Sequence, residues 1–169
     1  MFDEELQTIA RQVIKEFAQA NAKIATAESC TGGMIGGCIT AIDGSSSVFD
    51  RGFITYSNEA KIKMLNVNAG LIEEHGAVSA QVASEMAIGA IKNSDCNAAV
   101  AVTGIAGPSG GTENKPVGLV YIAVATADEE GAFVEDFKFS GDRDEVRRST
   151  VKEALEMLLG YGLDDPDQA

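Results

Sequence analysis

The segment from Cys96 to Val102 constrains this chain most. It is an almost continuous apolar run, as expected of a β-strand buried on both faces, so the fold must cover a sheet from two sides. The run ends in Thr103-Gly104-Ile105-Ala106-Gly107-Pro108-Ser109-Gly110-Gly111, a loop with four glycines. In open α/β sheets, ligands bind in the crevice beyond the carboxyl ends of such strands, and loops this rich in glycine within a compact domain are more often functional than idle.

The rest of the chain supplies the layers. Between Asp3 and Asn21, Leu6, Ile9, Ala10, Val13, Ile14, Phe17 and Ala18 recur at three- and four-residue steps, one buried face of a helix. Lys23 to Ala27 reads as a strand, followed by a small-residue helix through Met34, Ile35, Cys38 and Ile39, with Ser29 at its start. Val48 to Tyr56 reads as a strand. Helices follow after Ser57, over about Asn68 to Glu74, and after Ser79. Val117–Thr126 and Ala132–Phe139 form an expected hairpin. The last helix opens on a capping box, Asp142 with Glu145, and ends at Gly160 and Gly162. The expected architecture is an α/β three-layer sandwich with a mixed, mostly parallel sheet flanked by helices. It forms one domain over residues 1–163 with a disordered tail over 164–169.

Charge narrows the partners. A net charge of −13 opposes nucleic-acid binding, which depends on Lys and Arg contacts to phosphates, although a helix N-terminus and a few local cations can still hold one small phosphorylated ligand. The N-terminal Met-Phe-Asp-Glu-Glu-Leu lacks the basic start and apolar run of a secretory signal, and no stretch approaches the length of a membrane span. A cytoplasmic protein without membrane contact is therefore expected. The three cysteines have no zinc-like spacing, and His75 is the only histidine, so no Cys/His zinc site can be assembled. A symmetric homodimer, its contact supplied by the first or last helix, is the expected assembly.

Two segments could carry chemistry. In Thr26-Ala27-Glu28-Ser29-Cys30-Thr31-Gly32-Gly33, hydroxyls and a thiol stand where a strand hands over to a helix, a place whose free N–H groups favour an anion. Ser29 is either the helix N-cap or a nucleophile, and Cys30 at the same position is expected to have a lowered thiol pKa. In Tyr56-Ser57-Asn58-Glu59-Ala60-Lys61, a phenol ends a strand and an ammonium follows about one turn into a helix, where burial would let Lys61 act as a base. Lys63 and Lys115 read as surface charges and His75 as structural or a substrate contact. Arg143, Arg147 and Arg148 read first as partners for acidic residues, with a ligand clamp as the alternative.

Taken together, Ala27-Glu28-Ser29-Cys30-Thr31-Gly32-Gly33, Gly44-Ser45-Ser46, Arg51-Gly52 with Tyr56-Ser57-Asn58 and Lys61, His75-Gly76-Ala77-Val78-Ser79, Thr103-Gly104-Ile105-Ala106-Gly107-Pro108 with Gly110-Gly111, Lys115-Pro116-Val117-Gly118 and Ser140-Gly141-Asp142-Arg143 with Arg147-Arg148 closely resemble the C-terminal domain family of the competence/damage-inducible protein CinA. The resemblance covers nearly the whole chain; Asp43 departs from it, standing where many members have proline, and the larger N-terminal domain of full-length members has no counterpart in this sequence.

The resemblance implies hydrolysis of the carboxamide of nicotinamide mononucleotide to nicotinate mononucleotide and ammonia, without metal or other cofactor. Carried over residue by residue, it implies Ser29 as nucleophile, Lys61 as its base and Tyr56 as the accompanying hydroxyl. Thr31, Gly32, Gly33, Ser45, Ser46, Thr103, Gly104, Gly107 and Arg143 fall in the ligand-binding region. Amides near Thr31 to Gly33, or at Gly104, would then meet the oxyanion. The rival expectation is a nucleotide-binding or regulatory module without catalysis, since glycine-rich loops bind phosphates equally well without chemistry.

Overall fold

A computed structural model describes residues 1–163; the tail expected to be disordered, 164–169, lies outside the described residues. In chain order the elements are α1 (Glu4–Gln19), β1 (Ile24–Glu28), α2 (Met34–Thr40), a 3-10 turn (Ser45–Ser47), β2 (Phe49–Ile54), α3 (Asn58–Leu65), α4 (Ala69–His75), α5 (Ala80–Lys92), β3 (Ala98–Gly104), β4 (Leu119–Thr126), β5 (Phe133–Lys138) and α6 (Arg143–Tyr161). The sheet order is β2-β1-β3-β4-β5. β1 is parallel to both its neighbours, while β4 is antiparallel to β3 and to β5, so four strands point one way and only β4 is reversed. The mixed, mostly parallel sandwich is as expected.

Alternation along β3 explains the layers. Ala98, Val100 and Val102 face a core shared with α1, α2 and α6, while Ala99 and Ala101 face one shared with α5. The first core is built of larger side chains, among them Phe17, Ile24, Ile122, Leu155 and Leu158, each fully buried and contributing about 1.5–3 kcal/mol by leaving water. The second pairs alanines on the sheet (Ala99, Ala101, Ala123, Ala125) with alanines on α5 (Ala83, Ala87, Ala90), which lets that helix lie close to the strands. Gly89 carries the same logic outward, because a Cβ there would sit 2.1 Å from the Leu65 carbonyl oxygen at the end of α3.

Helix starts follow their capping residues. Asp3, Ser57 and Ser79 accept from Leu6, Ala60 and Val82, and Asp142 with Glu145 closes the expected capping box. At the other end of α6 Gly162 is the C-cap, as expected, while Gly160 lies inside the last turn. Most of the apolar faces of α1 and α6 are buried in the first core, and among the described residues the exposed large apolar side chains include Ile54, Tyr56, Ile62 and Met64 around β2 and α3 and Tyr161 at the end of α6. No described helix is long and apolar enough to cross a membrane.

Candidate active site

Parallel pairing brings the carboxyl ends of β1, β2 and β3 to one edge of the sheet, where a cleft of about 290 Å³ opens. Ser29 leaves β1, its amide donating to the Val102 carbonyl of β3 (3.1 Å), and Thr55 leaves β2, its amide donating to the Glu28 carbonyl (2.9 Å). α3 then turns back over this edge and buries Lys61, which is 1% exposed. Its Nζ lies 3.0 Å from Ser29 Oγ and donates to the Thr55 carbonyl at 2.9 Å. Burial lowers the Lys61 pKa, favouring the neutral amine, because an ammonium loses hydration there. Among the described residues no acidic side chain lines the cleft to oppose this, although the chain as a whole carries −13.

Ser29 is not the N-cap of α2. Four residues separate it from that helix, whose N-cap is Gly33 at φ 100°, a conformation that favours glycine. The cap function has passed to Glu28. Its buried carboxylate accepts from Thr31 Oγ1 (2.7 Å) and from the amides of Gly33 (3.0 Å), Ile35 (3.0 Å) and Gly36 (2.9 Å). The positive end of the α2 dipole is thus occupied by the protein's own anion. Gly32 closes a turn onto the Ser29 carbonyl (3.1 Å), so the amides of Gly32 and Gly33, expected near an oxyanion, are already committed. Among the described residues, those of Cys30 and Thr31 have no backbone acceptor.

The other expected residues separate into three places. Tyr56, Thr103, Gly104, Gly107 and Arg143 line the cleft with Ser29 and Lys61. Tyr56 stands at its exposed mouth, its hydroxyl accepting from Arg143 (3.0 Å), while the same guanidinium donates to the Gly107 carbonyl (2.8 Å). Thr103 Oγ1 donates to the Ala77 carbonyl (2.8 Å) and ties the connector before α5 to the cleft. Gly104 is required by packing: a Cβ would lie 2.6 Å from Val120 Cγ2.

Thr31, Gly32 and Gly33 form the turn behind the nucleophile and do not line the cleft. Ser45 and Ser46 are at the far end of the sheet, in the turn that feeds the start of β2. The five residues of β1 put roughly 15 Å between that end and Ser29, at about 3.3 Å per residue. Within one chain they lie outside the cleft.

Two further expectations are corrected. Burial, followed by the nearby Glu28 carboxylate, raises the Cys30 thiol to about 11 instead of lowering it, so Cys30 lines the cleft as a neutral thiol. The three arginines of α6 do not share one role. Arg148 pairs with Asp3 and Glu5 on α1 as expected; Arg143 faces the cleft; and Arg147 donates to the carbonyls of Cys30 (3.1 Å) and Thr31 (3.0 Å). Lys63 pairs with Glu59 at the surface, and Lys115 instead holds the His75 carbonyl. Glu28 received no role from sequence reasoning, since a capping residue is sought next to its helix and this one lies five residues before Gly33.

Comparison with known proteins identifies the family and matches the fold. Residues 6–161 match the family model of the CinA C-terminal domain. The chain belongs to that family. Among its relatives, a protein of Escherichia coli K12 named nicotinamide-nucleotide amidohydrolase PncC is 51% identical over 94% of this chain and 95% of its own length. A CinA-like protein of Citrifermentans bemidjiense is 50% identical over 95% of this chain. The chain spans 38% of that protein, and 36% of the relatives from two Caldicellulosiruptor species, so the family domain occurs both nearly alone and as part of longer chains. A competence/damage-inducible protein from Agrobacterium tumefaciens has the same fold, with a TM-score of 0.94 and 45% identity over 96% of this chain and 99% of the other. A CinA-superfamily protein from E. coli superposes with a TM-score of 0.87 at 32% identity, over 94% of this chain and 92% of the other.

Proposed function

We propose that this chain is a cytoplasmic amidohydrolase that converts the carboxamide of nicotinamide mononucleotide to the carboxylate, releasing ammonia, with Ser29 as nucleophile and Lys61 as base. The observation that carries the reading is the buried Lys61 Nζ at 3.0 Å from Ser29 Oγ, with its pKa lowered and, among the described residues, no carboxylate in the cleft to hold it charged. The E. coli relative's name supports the choice of substrate.

In the neutral state Lys61 accepts the Ser29 proton as Oγ attacks the carboxamide carbon. The tetrahedral oxyanion meets the amides left free in the turn, that of Cys30 first because Cys30 lines the cleft. Collapse breaks the C–N bond, and the Lys61 ammonium returns its proton to the departing nitrogen as ammonia. Water then attacks the acyl ester, giving its proton to Lys61, which passes it to Ser29 Oγ as nicotinate mononucleotide leaves. Arg143, held between Tyr56 and Gly107 at the mouth, supplies a cation for the anionic part of the substrate. Tyr56 has no hydrogen bond to either member of the dyad and is assigned to the mouth, with Lys61 carrying both proton transfers.

Ammonia release from nicotinamide mononucleotide by purified protein, with chelator present, tests the reading. Release that is lost in Ser29→Ala and kept in Cys30→Ala supports it. Nucleotide binding without release replaces it with a binding module.

A further inference from the structure

The turn that carries Ser29 is gripped from two sides by groups that do not themselves line the cleft. On the sheet side, the Glu28 carboxylate holds the Thr31 hydroxyl and three amides. On the helix side, Arg147, one turn of α6 beyond the cleft-facing Arg143, spans two successive carbonyls: Nε to Cys30 at 3.1 Å and an Nη to Thr31 at 3.0 Å. No acidic side chain pairs with Arg147 among the described residues, unlike its neighbour Arg148.

Peptide planarity turns this contact into control of Ser29. In a trans peptide the C=O and the following N–H point in opposite directions. A Thr31 carbonyl drawn to Arg147 therefore directs the Gly32 N–H the other way, onto the Ser29 carbonyl, which it meets at 3.1 Å. A Cys30 carbonyl drawn to the same guanidinium fixes the Thr31 N–H in the same manner. The planar fork suits two adjacent acceptors, and an ammonium at this position would satisfy only one at a time.

We propose that Arg147 is a positioning residue for the nucleophile: by holding the Cys30 and Thr31 carbonyls while Glu28 holds the Thr31 hydroxyl and the amides that follow, it sets the direction of Ser29 toward Lys61. The proposal rests on the amidohydrolase reading for its kinetic consequence, and the turn geometry supplies a readout that does not. Misplacement of a reacting group by about 1 Å costs on the order of 10²-fold in rate.

The experiment compares Arg147→Met and Arg147→Lys with Arg148→Gln, measuring kcat and KM for nicotinamide mononucleotide and hydrogen exchange at the Gly32 amide. In Arg147→Met, kcat falls about 10- to 100-fold with KM within about twofold. The Gly32 amide exchanges at least about tenfold faster, and added guanidinium restores part of the rate. Arg147→Lys recovers less than half of the loss, and Arg148→Gln behaves as the parent in both readouts. An unchanged kcat, a change confined to KM, or a fall in kcat without faster Gly32 exchange overturns the proposal. A parent that releases no ammonia, together with faster Gly32 exchange in Arg147→Met, ends the amidohydrolase reading and leaves the turn-holding role in place; unchanged exchange ends the latter whatever the activity.

Discussion

Two small turns rich in glycine and hydroxyls flank the same strand pair, and they have opposite fates. Ser29–Gly33 follows the carboxyl end of β1 and is held by Glu28 and Arg147, with Ser29 itself only 8% exposed. Gly44–Ser47 precedes β2 at the other end. Its 3-10 turn is closed by local bonds, Ser47 to the Gly44 carbonyl and Val48 to that of Ser45, and Ser46 faces solvent. Similar residue types thus make an organised site in one place and a connector in the other. The difference comes from the parallel sheet, which gathers Ser29, Thr55 and Thr103 at one edge and leaves Ser45 and Ser46 at the opposite one.

Substitution of the two serines is the strongest way to break this contrast. Ser29→Ala lowers kcat for amide hydrolysis by about 10³-fold or more, whereas Ser46→Ala leaves kcat/KM within about twofold. A large loss in Ser46→Ala, measured by the same ammonia assay, would show that a second copy of the chain carries this turn to the cleft.

Lys61→Met is expected to lose activity as severely as Ser29→Ala, yet to melt no lower than the parent at pH 7. Burial penalises the ammonium, so the unfolded chain binds the proton more tightly and stability rises with pH between the folded pKa and the ordinary lysine value near 10.4. Removing the group removes that penalty at neutral pH, and any advantage of the variant disappears above that range. Melting curves at pH 7 and pH 11 check the sign. In the parent, kcat/KM rises with pH through one ionisation below the ordinary lysine value, and this limb marks Lys61 as the base.

Arg143→Gln sharpens the division within the cleft. The mouth loses its cation, so KM for the mononucleotide rises about 10-fold or more while the pH limb set by Lys61 stays in place. The smallest effect belongs to the connector. Gly44 has φ 84° with open space around a Cβ, so Gly44→Ala costs about 1 kcal/mol of stability in urea unfolding and leaves turnover unchanged.

The periodicity of Leu6 to Phe17, the apolar run into Thr103 and the Asp142–Glu145 capping box are local patterns, and each produced its element because nearby residues alone decide it. The pairing of Ser29 with Lys61 came through resemblance to a family and has a counterpart in contact across 32 residues. Other assignments had no local signal. Ser29 looked like a cap because Ser before a helix usually is one, but a buried Glu28 can reach past five residues once the turn folds back over it. Cys30 looked activated by a helix start whose dipole that same carboxylate already occupies.

The three arginines of α6 are equivalent in composition and differ only in the direction each takes from the helix: toward the cleft, toward the nucleophile turn, or toward α1. Layers, strand ends and the residue types available for chemistry are legible in the chain alone, since periodicity and capping act within a few residues. Which hydroxyl meets the lysine and which arginine holds the turn emerge on folding, because those choices depend on strand order and helix rotation, set by packing between segments far apart in the chain.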